Sequence, residues 1–339
     1  MPLLAVAAGT AATADWTRRP DYPLAPGMAG LIAGEHGGVL IAAGGANFPD
    51  KMPWDGGTKV YYDEIFVIAP GETAWRSAGK LPERRAYAAS VSVADGVLVI
   101  GGENGATVFQ DTLLLRWDGK AVVVGRGPAL PAARTSQVAA VLDGSVYVAG
   151  GYAPGAVRAS SGDFWRLDLA ERAAGWRPLP TWPGPTRAQG TIAALDGALY
   201  LISGLEVVVD AAGKAQPTYL GDAYRYRREK WERLPEMPWT AIAAPSPAPV
   251  SANLGRVWVL GGVDGRLVGK VPRETRVPDH VMYFDVATDT WKTVAERWPD
   301  PVVTAPAVQI GGAWWIVSGE IKAGVRTPSV WSWQPGAGR

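Results

Sequence analysis

Six times along the chain an apolar, strand-like run ends in Gly-Gly or Ser-Gly, at 39–45, 97–102, 146–151, 199–204, 257–262 and 314–319. The first residue of each terminal pair falls at 44, 101, 150, 203, 261 and 318, so successive copies lie 49 to 58 residues apart. A period of that size marks an array of supersecondary units, none able to bury its apolar face alone.

Each copy parses into four strands. Ahead of the diglycine run lies a second apolar stretch, such as 90–93 or 191–195, joined to it by Asp95-Gly96, Asp143-Gly144 or Asp196-Gly197. Asp-Gly pairs favour tight hairpin turns. Behind it comes an alternating strand, as at 164–169, 224–226 and 281–286, and then a strand led by Trp75, Trp176, Trp231 or Trp291, with 120–124 standing in once. A four-stranded unit at roughly 50-residue intervals is the signature of a kelch-type blade. The expected fold is therefore an all-β, six-bladed kelch-type β-propeller over 15–339, a single domain. The sixth copy ends at Trp333 without a fourth strand, and Trp16 supplies one from the other end of the chain. Such closure pairs two sheet edges that would otherwise stay open.

Composition agrees and narrows the function. The 42 glycines and 28 prolines suit many short strands joined by turns rather than helices. With 33 basic against 32 acidic residues there is no basic footprint for nucleic acid, and no stretch is long and apolar enough to span a bilayer. The absence of cysteine excludes disulfides, thiolate nucleophiles and Cys-ligated metals, and the two isolated histidines, His36 and His280, make no metal-ligand set. Residues 1–14 form an apolar stretch ending Ala12-Thr13-Ala14, read either as the remnant of a secretory signal or as an ordinary tail. The first reading implies a periplasmic or secreted protein, the second a cytoplasmic one. No motif announces an oligomeric state.

In an up-and-down blade, the loop entering the first strand and the loop leaving the second lie on one face of the ring. Entering loops carry Arg84-Arg85-Ala86-Tyr87, Arg134-Thr135-Ser136 and Thr186-Arg187-Ala188-Gln189; leaving loops carry Asn47-Phe48, Glu103, Tyr152, Glu206 and Glu320. Two readings stand. Arginines facing carboxylates form a site for an anionic, hydroxyl-rich ligand, or they are ion pairs that knit the loops together. The aspartates ahead of third strands, Asp63, Asp111, Asp163 and Asp222, read as turn caps.

The most specific segment is 317–328, where Glu320 directly follows the sixth diglycine-type strand and Arg326 lies beyond a turn at Gly324. Here the chain resembles the N-acetylneuraminate epimerase (sialic acid mutarotase) family, in a cyclically permuted branch. Gly319, Glu320, Lys322, Gly324, Arg326 and Thr327 match its Asn-Gly-Glu-x-Lys-x-Gly-x-Arg-Thr segment, and Ser318 replaces the Asn. Further matches are 43–46 with Phe48, Arg85-Ala86-Tyr87, Gly101-Gly102-Glu103 and Arg187-x-Gln189. The resemblance runs over all six blades with their order rotated, and the 263–280 excursion is shorter than its counterpart in unpermuted members.

The resemblance implies an isomerase that interconverts α and β anomers of an acidic sugar, with no cofactor and no metal. By carry-over, Glu320 and Arg326 are catalytic, and Arg85, Arg187, Gln189, Asn47, Glu103 and Arg134 bind substrate. Two alternatives remain: a non-catalytic interaction or glycan-binding module, and a mutarotase for a different acidic sugar. Either enzyme reading has a small acidic sugar as partner and neither nucleic acid nor membrane.

Overall fold

The diglycines mark where one blade's backbone crowds the next. In the computed structural model, which describes residues 15–270 and 275–335, a Cβ on Gly44, Gly101 or Gly150 would lie 2.1, 2.4 or 2.2 Å from the carbonyl oxygen of Arg85, Arg134 or Arg187 in the following blade. The second glycine of each pair donates its N–H to that same carbonyl. In these three blades no side chain fits such an approach, and glycine is kept there. In two blades Ser203 and Ser318 take the first position at positive φ, and their buried hydroxyls accept backbone N–H groups of the neighbouring blade, from Ala241 at 2.9 Å and Met28 at 2.7 Å. The N-terminal residues 1–14, read above as a signal remnant or an ordinary apolar tail, lie outside the described residues.

Six four-stranded antiparallel sheets result. The first blade comprises Ile32–His36, Val39–Ala43, Glu64–Ile68 and Arg76–Lys80, and the second Ala89–Val93, Gly96–Ile100, Thr112–Trp117 and Val122–Gly127. The third and fourth follow the same order, the fourth with a long hairpin of Ala198–Val209 and Ala215–Arg227. The fifth ends in Thr290–Arg297. The sixth takes Ala307–Ile310, Ala313–Lys322 and Val325–Gln334, then borrows Asp15–Arg19 from the start of the chain, Trp16 opposite Trp333. Among the described residues, regular helix is confined to three single 3-10 turns.

Because side chains alternate across a strand, each blade offers an apolar face to both neighbours. Six buried clusters follow, one between every adjacent pair of blades. The cluster between fifth and sixth blades is rich in tryptophan, with Trp16 stacked on Trp298 at 5.5 Å and on Trp333 at 5.4 Å. The recurring fourth-strand tryptophans have a polar task as well. Trp75, Trp176, Trp231 and Trp291 each donate Nε1–H to a proline carbonyl just beyond the preceding blade's fourth strand, Pro20, Pro128, Pro180 and Pro235, at 2.8 to 3.0 Å. An indole thus packs its ring and satisfies its one donor across each of these seams.

Candidate functional site

One residue per blade, in the loop entering the first strand, sits in the left-handed region: Gly30, Tyr87, Ser136, Gln189, Ala243 and Thr304, with φ between 54° and 61°. In that conformation each N–H points to the carbonyl of its counterpart one blade away. The chain of bonds runs Tyr87 to Gly30, Ser136 to Tyr87, Gln189 to Ser136, Ala243 to Gln189, Thr304 to Ala243 and Gly30 to Thr304, all 2.7 to 3.0 Å. A closed ring of six backbone hydrogen bonds therefore encircles the propeller axis. It satisfies buried backbone groups and fixes the five side chains it carries, all but that of Gly30, as the floor of one mouth.

Directly above this ring, the residue after each diglycine pairs with the residue before the ring position: Ala46 with Ala29, Glu103 with Ala86, Tyr152 with Thr135, Leu205 with Ala188, Val263 with Ile242, and Glu320 with Val303. Glu103 and Glu320 thus occupy one repeat position in two blades. The cleft they face has a volume of about 300 Å³ and is walled by Phe48, Lys59, Tyr87, Glu103, Tyr152, Arg158, Gln189, Thr304, Glu320 and Arg326, among others. That volume is at the small end of the range for ligand sites, and suits a single sugar ring.

Glu320 and Arg326 are register partners across the hairpin of the sixth blade, and β-bulges on both sides of Glu320 re-aim that strand. Their side chains meet at 3.4 Å. The Gly324 N–H donates to Glu320 Oε2 at 3.0 Å, and the Thr304 hydroxyl lies 3.5 Å from Oε1. Arg326 is buried against the Phe48 ring, 4.7 Å away, and its Nε and Nη1 have no acceptor in the protein. Guanidinium N–H groups so placed are costly while nothing accepts from them.

The opposite wall is a second charged group. Buried Glu103 accepts from the Tyr61 hydroxyl at 2.9 Å and pairs with Arg158 at 2.5 Å. Lys59 holds Nζ 5.2 Å above the Tyr87 ring. Burial, then the Arg326 charge, lowers the ammonium's pKa, and the two glutamates partly offset this. Burial and the nearby Glu320 charge push the Tyr87 phenol up to about 12, although the Arg326 charge pulls the other way.

The structure brings together Glu320, Arg326, Glu103 and Gln189 but not the other expected site residues. Arg85, Arg134 and Arg187 turn away from the cleft and into their own blades, where each pairs with the aspartate ahead of the third strand. Arg85 meets Asp111 at 2.9 Å and donates to the Gly101 carbonyl; Arg134 Nε donates to Asp163 at 2.8 Å; Arg187 meets Asp222 at 3.0 Å and donates to the Ser203 carbonyl. Of the two readings of these arginines, loop-knitting ion pairs describes what they do. The same aspartates are ion-pair partners rather than simple turn caps. Asn47 is likewise fully engaged, its amide donating to Gly27 and its Oδ1 accepting from Tyr62. Sequence reasoning passed over Lys59, Tyr87 and Arg158 as site residues. A signal existed for Tyr87, since it shares a repeat position with Ser136 and Gln189, two residues after an arginine.

A family model described as N-acetylneuraminate epimerase matches residues 10–124 and 127–275. The chain belongs to the N-acetylneuraminate epimerase family. It is similar to the N-acetylneuraminate epimerase of Brucella suis, 35% identical over 127 residues, 33% of this chain and 32% of that protein. The Vibrio cholerae protein of the same name is 36% identical over 108 residues, 29% of this chain and 28% of its own. The Yersinia enterocolitica one is 28% identical over 239 residues, 61% and 57% respectively. The chain thus aligns with roughly a third of the length of the first of these relatives and just over half of the last. The family match takes in Lys59, Tyr87, Glu103, Arg158 and Gln189 and stops short of Glu320 and Arg326.

Proposed function

We propose that the cleft binds N-acetylneuraminate and interconverts its α and β anomers by opening and reclosing the sugar ring. The observation that carries this reading is the Glu320–Arg326 pair, an acid/base group 3.4 Å from a guanidinium that lines the cleft and has two nitrogens without a partner in the protein. The sugar's carboxylate is attached to the anomeric carbon, so a guanidinium that holds the carboxylate brings the anomeric hydroxyl to Glu320. Glu320 takes that hydroxyl's proton, the bond from the anomeric carbon to the ring oxygen breaks, and the ring oxygen is protonated. Rotation of the resulting ketone and reversal of these steps closes the ring on the other face. General acid–base catalysis of this kind is worth about 100- to 10,000-fold. Gln189, on the floor ring, contributes amide hydrogen bonds to hydroxyl or acyl groups, and Glu103 with Arg158 borders the far side of the sugar.

Ligand class is the direct test. In a thermal-shift series with sialic acids, uronic acids and neutral hexoses, N-acetylneuraminate is expected to raise the melting temperature most and neutral hexoses not at all. Arg326→Ala should weaken sialic acid binding by about 10- to 100-fold, the worth of a charge-assisted bond. Stabilisation by uronic acids alone would redirect the reading to another acidic sugar. The absence of any sugar effect would favour a non-catalytic interaction module.

A further inference from the structure

Opening a cyclic hemiketal takes two proton transfers, one from the anomeric hydroxyl and one to the ring oxygen. Glu320 accounts for one. The other asks for a group that is protonated at neutral pH, lies beside Glu320 and tolerates the negative charge left behind. The cleft offers Ser136, Gln189 and Thr304, which are not useful acids, and Lys59, Tyr87 and Tyr152, which are; Tyr152 holds the repeat position of Glu320 three blades away, across the ring from it, which leaves Lys59 and Tyr87.

We propose that Tyr87 is the second proton-transfer group of the site, giving a proton to the ring oxygen as Glu320 takes one from the anomeric hydroxyl. This rests on the mutarotase reading above.

Position supports the assignment first. Tyr87 belongs to the closed backbone ring, its N–H bonded to Gly30 and its carbonyl to Ser136, both at 2.8 Å, so its side chain rises from the most constrained backbone of the mouth. Gly30 makes room for it, since a Cβ there would sit 2.4 Å from Tyr87 Cδ1. Lys59 comes instead from the long connection between the second and third strands of its blade. A proton donor gains from being held by the scaffold rather than by a loop.

Charge supports it next. Arg326 lines the same cleft, and its fixed positive charge favours loss of the phenolic proton. No group among the described residues accepts that proton. Once it is transferred, the phenolate shares the cleft with the Arg326 guanidinium and with the Lys59 ammonium, whose Nζ lies 5.2 Å from the ring centroid, so cations stand where charge develops.

The two transfers also assist one another. Besides burial, the charge of Glu320, and more weakly that of Glu103, holds the phenol protonated, while Arg326 opposes them. When Glu320 takes up the anomeric proton its charge disappears, and with it a main obstacle to ionising Tyr87. The balance closes over a cycle. In opening, the anomeric O–H proton goes to Glu320, the electrons of the broken C–O bond stay on the ring oxygen, and that oxygen takes the Tyr87 proton. In reclosure the chain hydroxyl returns its proton to the tyrosinate as it attacks the ketone, and the carbonyl oxygen regains a proton from Glu320.

The test is anomer exchange of N-acetylneuraminate, followed by NMR, with wild type, Tyr87→Phe, Lys59→Met and Glu320→Gln in parallel, together with binding of the sugar to each. Tyr87→Phe is expected to lower the exchange rate about 100-fold or more while binding stays within about threefold, and Lys59→Met to lower it by about tenfold or less. The assignment is overturned if wild type exchanges, Glu320→Gln does not, and Tyr87→Phe keeps pace with wild type. It is equally overturned if Lys59→Met is the variant that loses the rate. A wild type that fails to accelerate exchange defeats the mutarotase reading itself. Should Tyr87→Phe not fold, a fluorotyrosine at position 87 keeps the volume and lowers the phenol pKa; its exchange rate is expected to change more than about threefold, and an unchanged rate counts against the proposal.

Discussion

Asp222→Ala separates a structural arginine from a substrate-binding one. Arg187 is 1% exposed and Asp222 8%; Nη1 lies 3.0 Å from Oδ1, Nη2 donates to Oδ2 at 3.0 Å, and the Tyr224 hydroxyl donates to Oδ2 at 2.7 Å. Removing the carboxylate leaves a guanidinium buried between the Trp182 and Tyr224 rings, 5.3 and 5.1 Å from their centroids, with the Ser203 carbonyl as its remaining acceptor. Breaking one side of a buried pair costs about 3–5 kcal/mol, and the surviving Ser203 bond and ring contacts place this case near about 3 kcal/mol. Urea unfolding read by tryptophan fluorescence gives the loss directly. The double variant Arg187→Met with Asp222→Leu should recover most of it, because no charge is then stranded. Stability within about 1 kcal/mol of wild type for Asp222→Ala, coupled with a tenfold loss of sugar binding, would refute the structural role and return Arg187 to the substrate.

Three further outcomes follow from the same packing. Trp16→Ala removes two stacked indole contacts at the seam that closes the ring, and should cost about 3 kcal/mol in urea unfolding; a loss under about 1 kcal/mol would mean the N-terminal strand does not hold the propeller shut. Since Glu320 and Arg326 stand on the strands that Asp15–Arg19 completes, deleting that strand should lower sugar binding as well as stability, and a truncated protein with full binding would break the link. Gly30→Ala places a Cβ 2.7 Å from the Tyr87 backbone nitrogen at a φ of 61°, so it should destabilise by about 2 kcal/mol and displace the phenol, which the near-ultraviolet spectrum would register; an unchanged spectrum and stability would show that the floor ring yields freely.

The period of the diglycines made the propeller legible, because close approach between blades leaves the chain no choice but glycine or a small hydroxyl at one position per copy. Asp143-Gly144 and Asp196-Gly197 take positive φ at both residues, as their composition foretold, whereas Asp95 does not. Trp16 was legible as the closing strand because the sixth copy lacked what the others had. The arginines misled for a definite reason. Repeat spacing locates a loop at the mouth but not the direction of its side chains, and Arg85, Arg134 and Arg187 turn into the blades to reach aspartates 26, 29 and 35 residues further on. Lys59 and Arg158 were invisible for another. They lie in connections between second and third strands whose lengths differ from blade to blade, so no alignment of copies brings them into register with the site.

The proposed function places Glu320 at the anomeric centre of N-acetylneuraminate, beside Arg326. Its most direct measurement is NMR of freshly released α-N-acetylneuraminate relaxing to its anomeric equilibrium with catalytic amounts of wild-type or Glu320→Gln protein. Relaxation is expected to be at least about 100-fold faster with wild type than with Glu320→Gln, the variant still binding the sugar. Equal rates with the two proteins, each matching buffer, would contradict it.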